Sequence, residues 1–373
     1  ALVEGGYNVV AVVTMPDKPA GRGHQLQYSD VKKYALEVGL PVLQPEKLKD
    51  EAFVEELRSY QADLQIVVAF RMLPEVVWAM PRLGTFNIHG SLLPQYRGAA
   101  PINWAVMNGE KETGLTTFML KHEIDTGNMI LQERIAIGED ENVGSVHDRL
   151  MALSESMVIR TVDLIIDCEN KGIQVPTTPQ PEIAELKPAP KIFKEDCEIR
   201  FAEKTAQEVK NFVRGLSPYP AAWANLTIHG QTFENVKIFA VEIADKGELV
   251  VPCKEGAVSI KELQVPGKKR MDIKAFLNGL KPLPCPPLKG GGRFHIFRPM
   301  SDFFRGLVTA HERHTGNHFT IAVQQSGEEF LIQHFTYIFP KMGRMTSLTM
   351  TRTPGEVECQ RHLSGDLLKN DVV

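Results

Sequence analysis

The sequence predicts a doubly wound, mostly parallel α/β sheet followed by a small β-barrel, and three observations carry that prediction. Short, nearly continuous apolar runs alternate with helix-period segments through the first half of the chain, the pattern of a parallel sheet covered by helices on both faces. The stretch Val175–Pro190, with five prolines, then interrupts the alternation. After it come short alternating runs parted by glycine turns, which fit a small barrel.

Taken in order, Ala1–Gly6 reads as the last turn of a helix stopped by glycine, and Val9–Val13 as a buried strand. A domain that opens at a helix end is expected to lack its first strand, an interior strand in a doubly wound sheet, and to be partly unfolded or inactive without it. Ser29 caps a helix through Val38, Pro41–Leu43 is a short strand, and Asp50–Tyr60 is a polar amphipathic helix. Leu64–Phe70 is a second apolar strand, Pro74 opens a helix through Met80, and Thr85–His89 is strand again. Strands at Thr116–Met119 and Met129–Ile137 lead to a long helix over Val143–Ile166. Thr205 with Glu208 three residues on forms a capping box that starts a helix over Ala206–Val213. The barrel strands are Ala222–Ile228, Val236–Val241, Glu248–Pro252 and Ala257–Leu263. These elements divide the chain into an α/β domain at 1–173, a proline-rich linker at 174–190 and a barrel at 191–281. Pro282 to Gly292 is Pro/Gly punctuation, no clear period follows it, and 282–373 is expected to be a disordered or unrelated tail.

Composition narrows the class. An apolar content of 43% over 373 residues excludes a disordered chain and fits about two globular domains. The cysteines at 168, 197, 253, 285 and 359 lie far apart with no CxxC pair, as scattered reduced thiols do. No apolar run approaches the ~20 residues that cross a bilayer, and no signal peptide is visible, so a cytoplasmic chain is expected. The net charge of −4 hides an asymmetry: 281–373 carries 11 Lys plus Arg against 8 Asp plus Glu, the remainder 31 against 38. An acidic body does not attract nucleic acid as a whole, so an RNA partner must be held by local basic clusters.

The densest group of chemistry-bearing residues is Asn87-Ile88-His89-Gly90-Ser91-Leu92-Leu93-Pro94, continued by Gln95-Tyr96-Arg97-Gly98-Ala99-Ala100-Pro101-Ile102. Alone, an Asn and a His at a strand end are more often structural. Two residues apart on a strand, however, they share one face, at the carboxyl end where open α/β sheets place their ligands. Asp125 follows in the turn-like His122-Glu123-Ile124-Asp125-Thr126-Gly127. Asn, His and Asp together can position a nucleophile, shuttle a proton and stabilise an oxyanion. They are not a metal set, since only one suitable imidazole is present. Lys18 and Arg22, on the Gly/Pro loop Pro16–Gly23, suit phosphate contacts. The triplet Lys268-Lys269-Arg270 is by default a solvated turn, and in an RNA-binding chain a backbone grip.

The run from Asn87 through Ile102 together with Asp125-Thr126-Gly127 resembles the signature of the formyltransferases that use 10-formyltetrahydrofolate. The resemblance implies a Rossmann-like catalytic domain in which Asn87, His89 and Asp125 are the catalytic set. Pro16-Asp17-Lys18-Pro19-Ala20-Gly21-Arg22-Gly23 resembles the loop that inserts beside the acceptor stem in the branch acting on methionyl-tRNA. Arg214–Pro220 with Trp223, and Gly267–Met271, resemble that branch's OB-like C-terminal domain. The resemblance spans Ala1 to Lys281 and stops there. It implies formyl transfer from 10-formyltetrahydrofolate to the α-amino group of methionine on initiator tRNA, by a monomer of the bacterial cytoplasm that needs no metal and no membrane. It places the folate against Phe70, Met72 and Leu73 and the loop of Ser91, Leu92, Leu93 and Pro94, and the tRNA on Lys18, Arg22, Lys268, Lys269 and Arg270. The alternatives are formyl transfer to a nucleotide-linked amino sugar and a non-catalytic tRNA-binding remnant. In the tail, His311, His314 and His318 imitate a metal motif, but Thr315 stands where a zinc-protease helix needs its second histidine.

Overall fold

The computed structural model describes residues 1–20, 25–123, 125–228 and 230–280, and the backbone of five strands between 312 and 363. The side chains of 18–20, 25–27 and those five strands are not among what it describes, and Arg22, the 282–292 junction and His311 lie outside the described residues. The chain falls into two units, Ala1–Leu283 and Pro284–Val373.

The first unit opens with strand β1 (Val12–Val13) and the hairpin of β2 (Lys18–Ala20) and β3 (Gln25–Gln27). Helix α1 (Asp30–Glu37) starts where Ser29 Oγ accepts the Lys32 N–H, and β4 (Val42–Leu43) returns to pair parallel with β1. Asp50 caps α2 (Glu51–Ser59) in the same way. Phe53, Val54 and Leu57 on its inner face join Leu43 and, from α3 (Glu75–Trp78), Val77 in a small core, while Ile66 of β5 (Gln65–Val68) packs on a second, larger core. Strand β6 (Thr85–His89) pairs parallel with β5, as a βαβ crossover demands. Helix α4 (Pro101–Met107) follows, with Pro101 in its first turn, where a missing N–H costs nothing.

Here the expected mostly parallel sheet changes direction. Strand β7 (Glu112–Met119) runs antiparallel to β6 and β8 (Met129–Ala136) antiparallel to β7, giving a four-stranded order β5-β6-β7-β8 with one parallel and two antiparallel pairs. Strand direction is set by the crossover and not by apolar pattern, so the residues alone did not reveal it. The sheet is packed by α5 (Val143–Lys171), which Asn142 caps at the start. It outruns the expected stop at Ile166 because only Gly172, at φ +63, provides a left-handed end. Phe86, Ile88 and Leu115 from the sheet and Val146, Leu150, Met157 and Ile165 from α5 form the sheet's core. A fully buried side chain of this kind contributes roughly 1.5–3 kcal/mol.

Helix α6 (Ala206–Leu216) carries the predicted capping box. Beyond it, β9 (Ala222–Ile228), β10 (Gln231–Ile243), β11 (Val250–Pro252), β12 (Ala257–Gln264) and β13 (Met271–Asp272) form one open, curled antiparallel sheet, closed off by α7 (Ile273–Leu280). The expected barrel is therefore a half-barrel. Three register shifts in β10, between Phe233 and Val236, Ile238 and Ala240, and Ala240 and Val241, bend the strand, which is how a sheet curls. Val209, Val213 and Leu216 of α6 pack into its concave face with Ile238, Ile260 and Leu263. The outer side of α6 meets α4, where Asn103 Nδ2 donates to the Gly215 carbonyl at 2.9 Å. Buried Arg214 donates to the carbonyls of Gly138 (3.2 Å) and Glu141 (3.0 Å), tying the half-barrel to the α/β domain.

In the second unit, β14 (Glu312–Thr315), β15 (His318–Ile321), β16 (Phe335–Phe339), β17 (Arg344–Thr353) and β18 (Glu356–Leu363) pair antiparallel in the order β14-β15-β18-β17-β16. Sequence periodicity gave no element here, because the longest strand is built on β-branched Thr346, Thr349, Thr351 and Thr353 and not on apolar alternation. The described residues of the histidine-bearing run, 312–315 and 318–321, are two paired strands.

Candidate active site

Asn87 and His89 stand on the last turn of the pleat of β6, both on one face, with Ile88 between them directed to the core. Neighbouring β7 sets their depth, pairing Asn87 with Phe118 and His89 with Thr116. Asn87 Oδ1 is buried and has no hydrogen-bond partner among the described residues. An unpartnered buried amide oxygen is costly unless a ligand satisfies it.

The His89 ring is held by its surroundings. Its Nε2 lies 2.9 Å from the Tyr96 carbonyl oxygen, which can only accept, so the ring N–H is on Nε2. In the neutral ring this leaves Nδ1 bare, and Nδ1 faces Asp125 Oδ2 at 3.9 Å. Both side chains are nearly enclosed, at 7% and 11% exposure, so a charge on either is weakly screened. Asp125 Oδ2 also accepts the Gly98 N–H at 3.1 Å. Asp125 itself adopts a left-handed backbone, φ +54, which a non-glycine residue keeps only where its surroundings enforce it.

The loop after β6 is pinned from below. Thr116 Oγ1 donates to the Ser91 carbonyl (2.7 Å) and accepts the Leu93 N–H (3.2 Å), while Gln132 Nε2 donates to the Leu93 carbonyl (3.1 Å). Ser91 Oγ closes the turn on the Gln95 carbonyl at 2.6 Å. From above, the proline-rich stretch lies along the same loop. Tyr96 N–H donates to the Lys187 carbonyl (2.7 Å), and Ala189 exchanges bonds with the Arg97 carbonyl (2.8 Å) and the Ala99 N–H (2.7 Å). The Tyr96 hydroxyl donates to Glu110 at 2.5 Å, and Lys187 Nζ sits 2.6 Å from the same carboxylate. Burial and that hydrogen bond push the Tyr96 hydroxyl pKa up, keeping it a donor.

The structure thus brings Asn87, His89 and Asp125 to one place. Phe70, Met72 and Leu73 follow the carboxyl end of β5, whose Val68 pairs with Ile88. Phe70 and Leu73 pack on the small core and Met72 is 73% exposed. Of the loop residues, Ser91, Leu93 and Pro94 are buried and Leu92 is half-buried. Lys268 and Lys269 are exposed on the turn between β12 and β13. Arg270 is engaged with Glu262 and lies 4.4 Å over the Phe239 ring. Lys18 belongs to β2, on a hairpin whose base is held by the Asp17–Lys32 ion pair and by Gln44 Nε2 donating to Asp17 at 2.9 Å. Those bonds keep the Asp17 carboxyl below the usual range. Sequence reasoning missed Thr116, Gln132 and Gln180, which hold the loops, because none stands in a motif and their partners are far along the chain.

Residues 2–162 match the family model described as formyl transferase, and 191–281 match its companion, formyl transferase, C-terminal domain. A methionyl-tRNA formyltransferase of Bacteroides fragilis is 57% identical over 295 residues, 74% of this chain and 89% of the relative. One of Parabacteroides distasonis is 56% identical over 300 residues, 75% of this chain and 91% of the relative. Among solved structures, HypX from Aquifex aeolicus in complex with tetrahydrofolic acid is 19% identical, with a TM-score of 0.49 over 78% of this chain and 50% of that one.

Proposed function

This chain belongs to the methionyl-tRNA formyltransferase family, and on that premise we propose how its residues move a formyl group from 10-formyltetrahydrofolate to the α-amino group of methionyl-tRNA. The observation that carries the reading is the convergence of Asn87, His89 and Asp125 at the carboxyl end of β6, with Asn87 Oδ1 buried and unpartnered among the described residues. That orphaned acceptor, on the strand beside β5, whose carboxyl end leads to Phe70 and Leu73, fits a ligand that donates a hydrogen bond to it. The folate, when bound, supplies an electrophilic formyl carbon on N10.

Transfer forms a bond from the methionyl nitrogen to the formyl carbon, breaks the bond from that carbon to N10, and moves one proton from the amine to N10. Asn87 aligns the amine through Oδ1 and donates its N–H to the formyl oxygen as negative charge develops there. Such a donor contributes about 10²–10³-fold. His89 takes the amine proton on Nδ1, the nitrogen its bond to Tyr96 leaves bare, and returns it to N10. The imidazolium formed in between is balanced by Asp125, 3.9 Å away. A positioned acid–base group of this kind contributes about 10²–10⁴-fold. Phe70, Met72, Leu73 and Leu92 line the folate side, and buried Ser91, Leu93 and Pro94 hold the loop in place. Exposed Lys268 and Lys269, with Lys18, Arg22 and Arg270, contact tRNA phosphates. A methionyl-tRNA acceptor supports a location in the bacterial cytoplasm, where translation occurs, and the proposed acting form is a monomer. No helix among the described residues is long and apolar enough to cross a membrane.

The test offers the chain 10-formyltetrahydrofolate with either methionyl-tRNA or a nucleotide-linked amino sugar. Formylation of the tRNA alone is expected; formylation of the sugar alone, or of neither, refutes the reading.

A further inference from the structure

Gln180 lies in the proline-rich stretch between Pro179 and Pro181, a place where composition predicts only a connector. Its side-chain amide nevertheless makes four bonds. Nε2 donates to the backbone carbonyls of Asp125 (2.7 Å) and Gly127 (2.9 Å). Oε1 accepts from Arg97 Nε (3.1 Å) and Nη2 (2.5 Å). Two N–H donors and two lone pairs are the whole capacity of a glutamine amide, and all of it is directed at the two loops that build the site.

These bonds close a ring. Gln180 holds the Asp125 backbone on one side and Arg97 on the other; Gly98, next to Arg97, returns to the Asp125 carboxylate through its N–H at 3.1 Å. Inside the ring Asp125 keeps its left-handed backbone, φ +54, a conformation that persists only where neighbours over-determine it. The carboxylate's distance from His89 Nδ1 is therefore set by a residue that touches neither His89 nor the reacting atoms.

We propose that Gln180 is a positioning residue that holds the Asp125 carboxylate in register with His89 during formyl transfer. The inference rests on the reading of Asp125 given above. A glutamine that merely ties down the linker would affect stability; one that positions Asp125 affects turnover, and only while Asp125 carries its charge.

The experiment is a double-mutant cycle of Gln180→Ala and Asp125→Asn in the full chain, measured by steady-state formylation of methionyl-tRNA, with thermal melts alongside. Gln180→Glu is run in parallel, because it keeps the acceptors for Arg97 and sets a carboxylate oxygen against the Asp125 and Gly127 carbonyls. Should Gln180→Ala melt below the assay temperature, Gln180→Met, closer in volume, replaces it. Gln180→Ala and Gln180→Glu should each lower kcat about ten- to hundred-fold, as small misplacements of catalytic groups do, with KM for folate and tRNA within about twofold of wild type. In the Asp125→Asn background the same Gln180 substitutions should change kcat less than about twofold, since they act through a charge already removed. An undiminished kcat in Gln180→Ala, or a full loss repeated on top of Asp125→Asn, overturns the proposal. Wild-type kcat in Asp125→Asn alone overturns the reading of Asp125 itself, and the proposal with it.

Discussion

Gly98→Ala adds one methyl group at the point where the loop after β6, the proline-rich stretch and Asp125 meet. Gly98 has φ +126, a conformation essentially confined to glycine, and forcing alanine into it costs about 1–3 kcal/mol. The new Cβ would also lie 3.0 Å from the Ala189 carbonyl carbon and closer still to its oxygen. Those are backbone atoms, already bonded to the Ala99 and Ala100 N–H groups, so they cannot swing aside. Overpacking of that kind adds about 1–3 kcal/mol. If the cost falls on the whole unit, about 2–6 kcal/mol lowers Tm by roughly 4–24 °C at 2–4 °C per kcal/mol. If the loop yields instead, Tm moves little, but the Gly98 N–H leaves Asp125 and formylation falls about ten-fold or more. A thermal melt and a single-turnover formylation assay on the same preparation read both routes. An unchanged Tm together with unchanged turnover would refute the packing and the link to Asp125 at once.

Glu110 makes stability depend on pH. Burial alone would raise its carboxyl pKa, but hydrogen bonds from Lys187 and the Tyr96 hydroxyl outweigh that and hold it below the usual range. A depressed folded pKa stabilises above the unfolded value and loses that effect as pH falls through the folded one. The Tm gap between wild type and Glu110→Gln should thus be full at neutral pH and shrink below about pH 4, where the unfolded carboxyl titrates; a gap that persists unchanged in acid contradicts this account. Replacing Lys268 and Lys269 by Ala should flatten the slope of log tRNA affinity against log salt by about 0.7–0.9 per lysine that meets a phosphate, with folate binding unaltered. An unaltered slope returns both lysines to solvent.

Most helices were legible from local chemistry. Ser29 and the Thr205/Glu208 box each announce a start within three residues of the bond they make, and the structure places α1 and α6 there. Helix α4 was not legible, because its seven residues, Pro101–Met107, make only about two turns and are too few to show a helical period. The antiparallel direction of β7 and β8 was illegible for a different reason: both orientations bury the same apolar residues, and only the connections choose between them. In the site, Asn87 and His89 were readable from their strand register, and Asp125 from the family pattern. The ring around Asp125 was not, since Arg97 and Gln180 are 83 residues apart and each looks like an ordinary polar residue in its own segment.

The central claim is that His89 and Asp125 act as one proton-handling pair at the end of β6. Single-turnover formylation of methionyl-tRNA, with folate and tRNA saturating, should fall by at least about 10² for His89→Ala and for Asp125→Asn alike, with tRNA binding near wild type. The double variant should be scarcely slower than either, because residues that act as a unit do not lose their effects additively. Near-wild-type rates in either single variant, or losses that multiply in the double, would show that the two residues do not work as that pair.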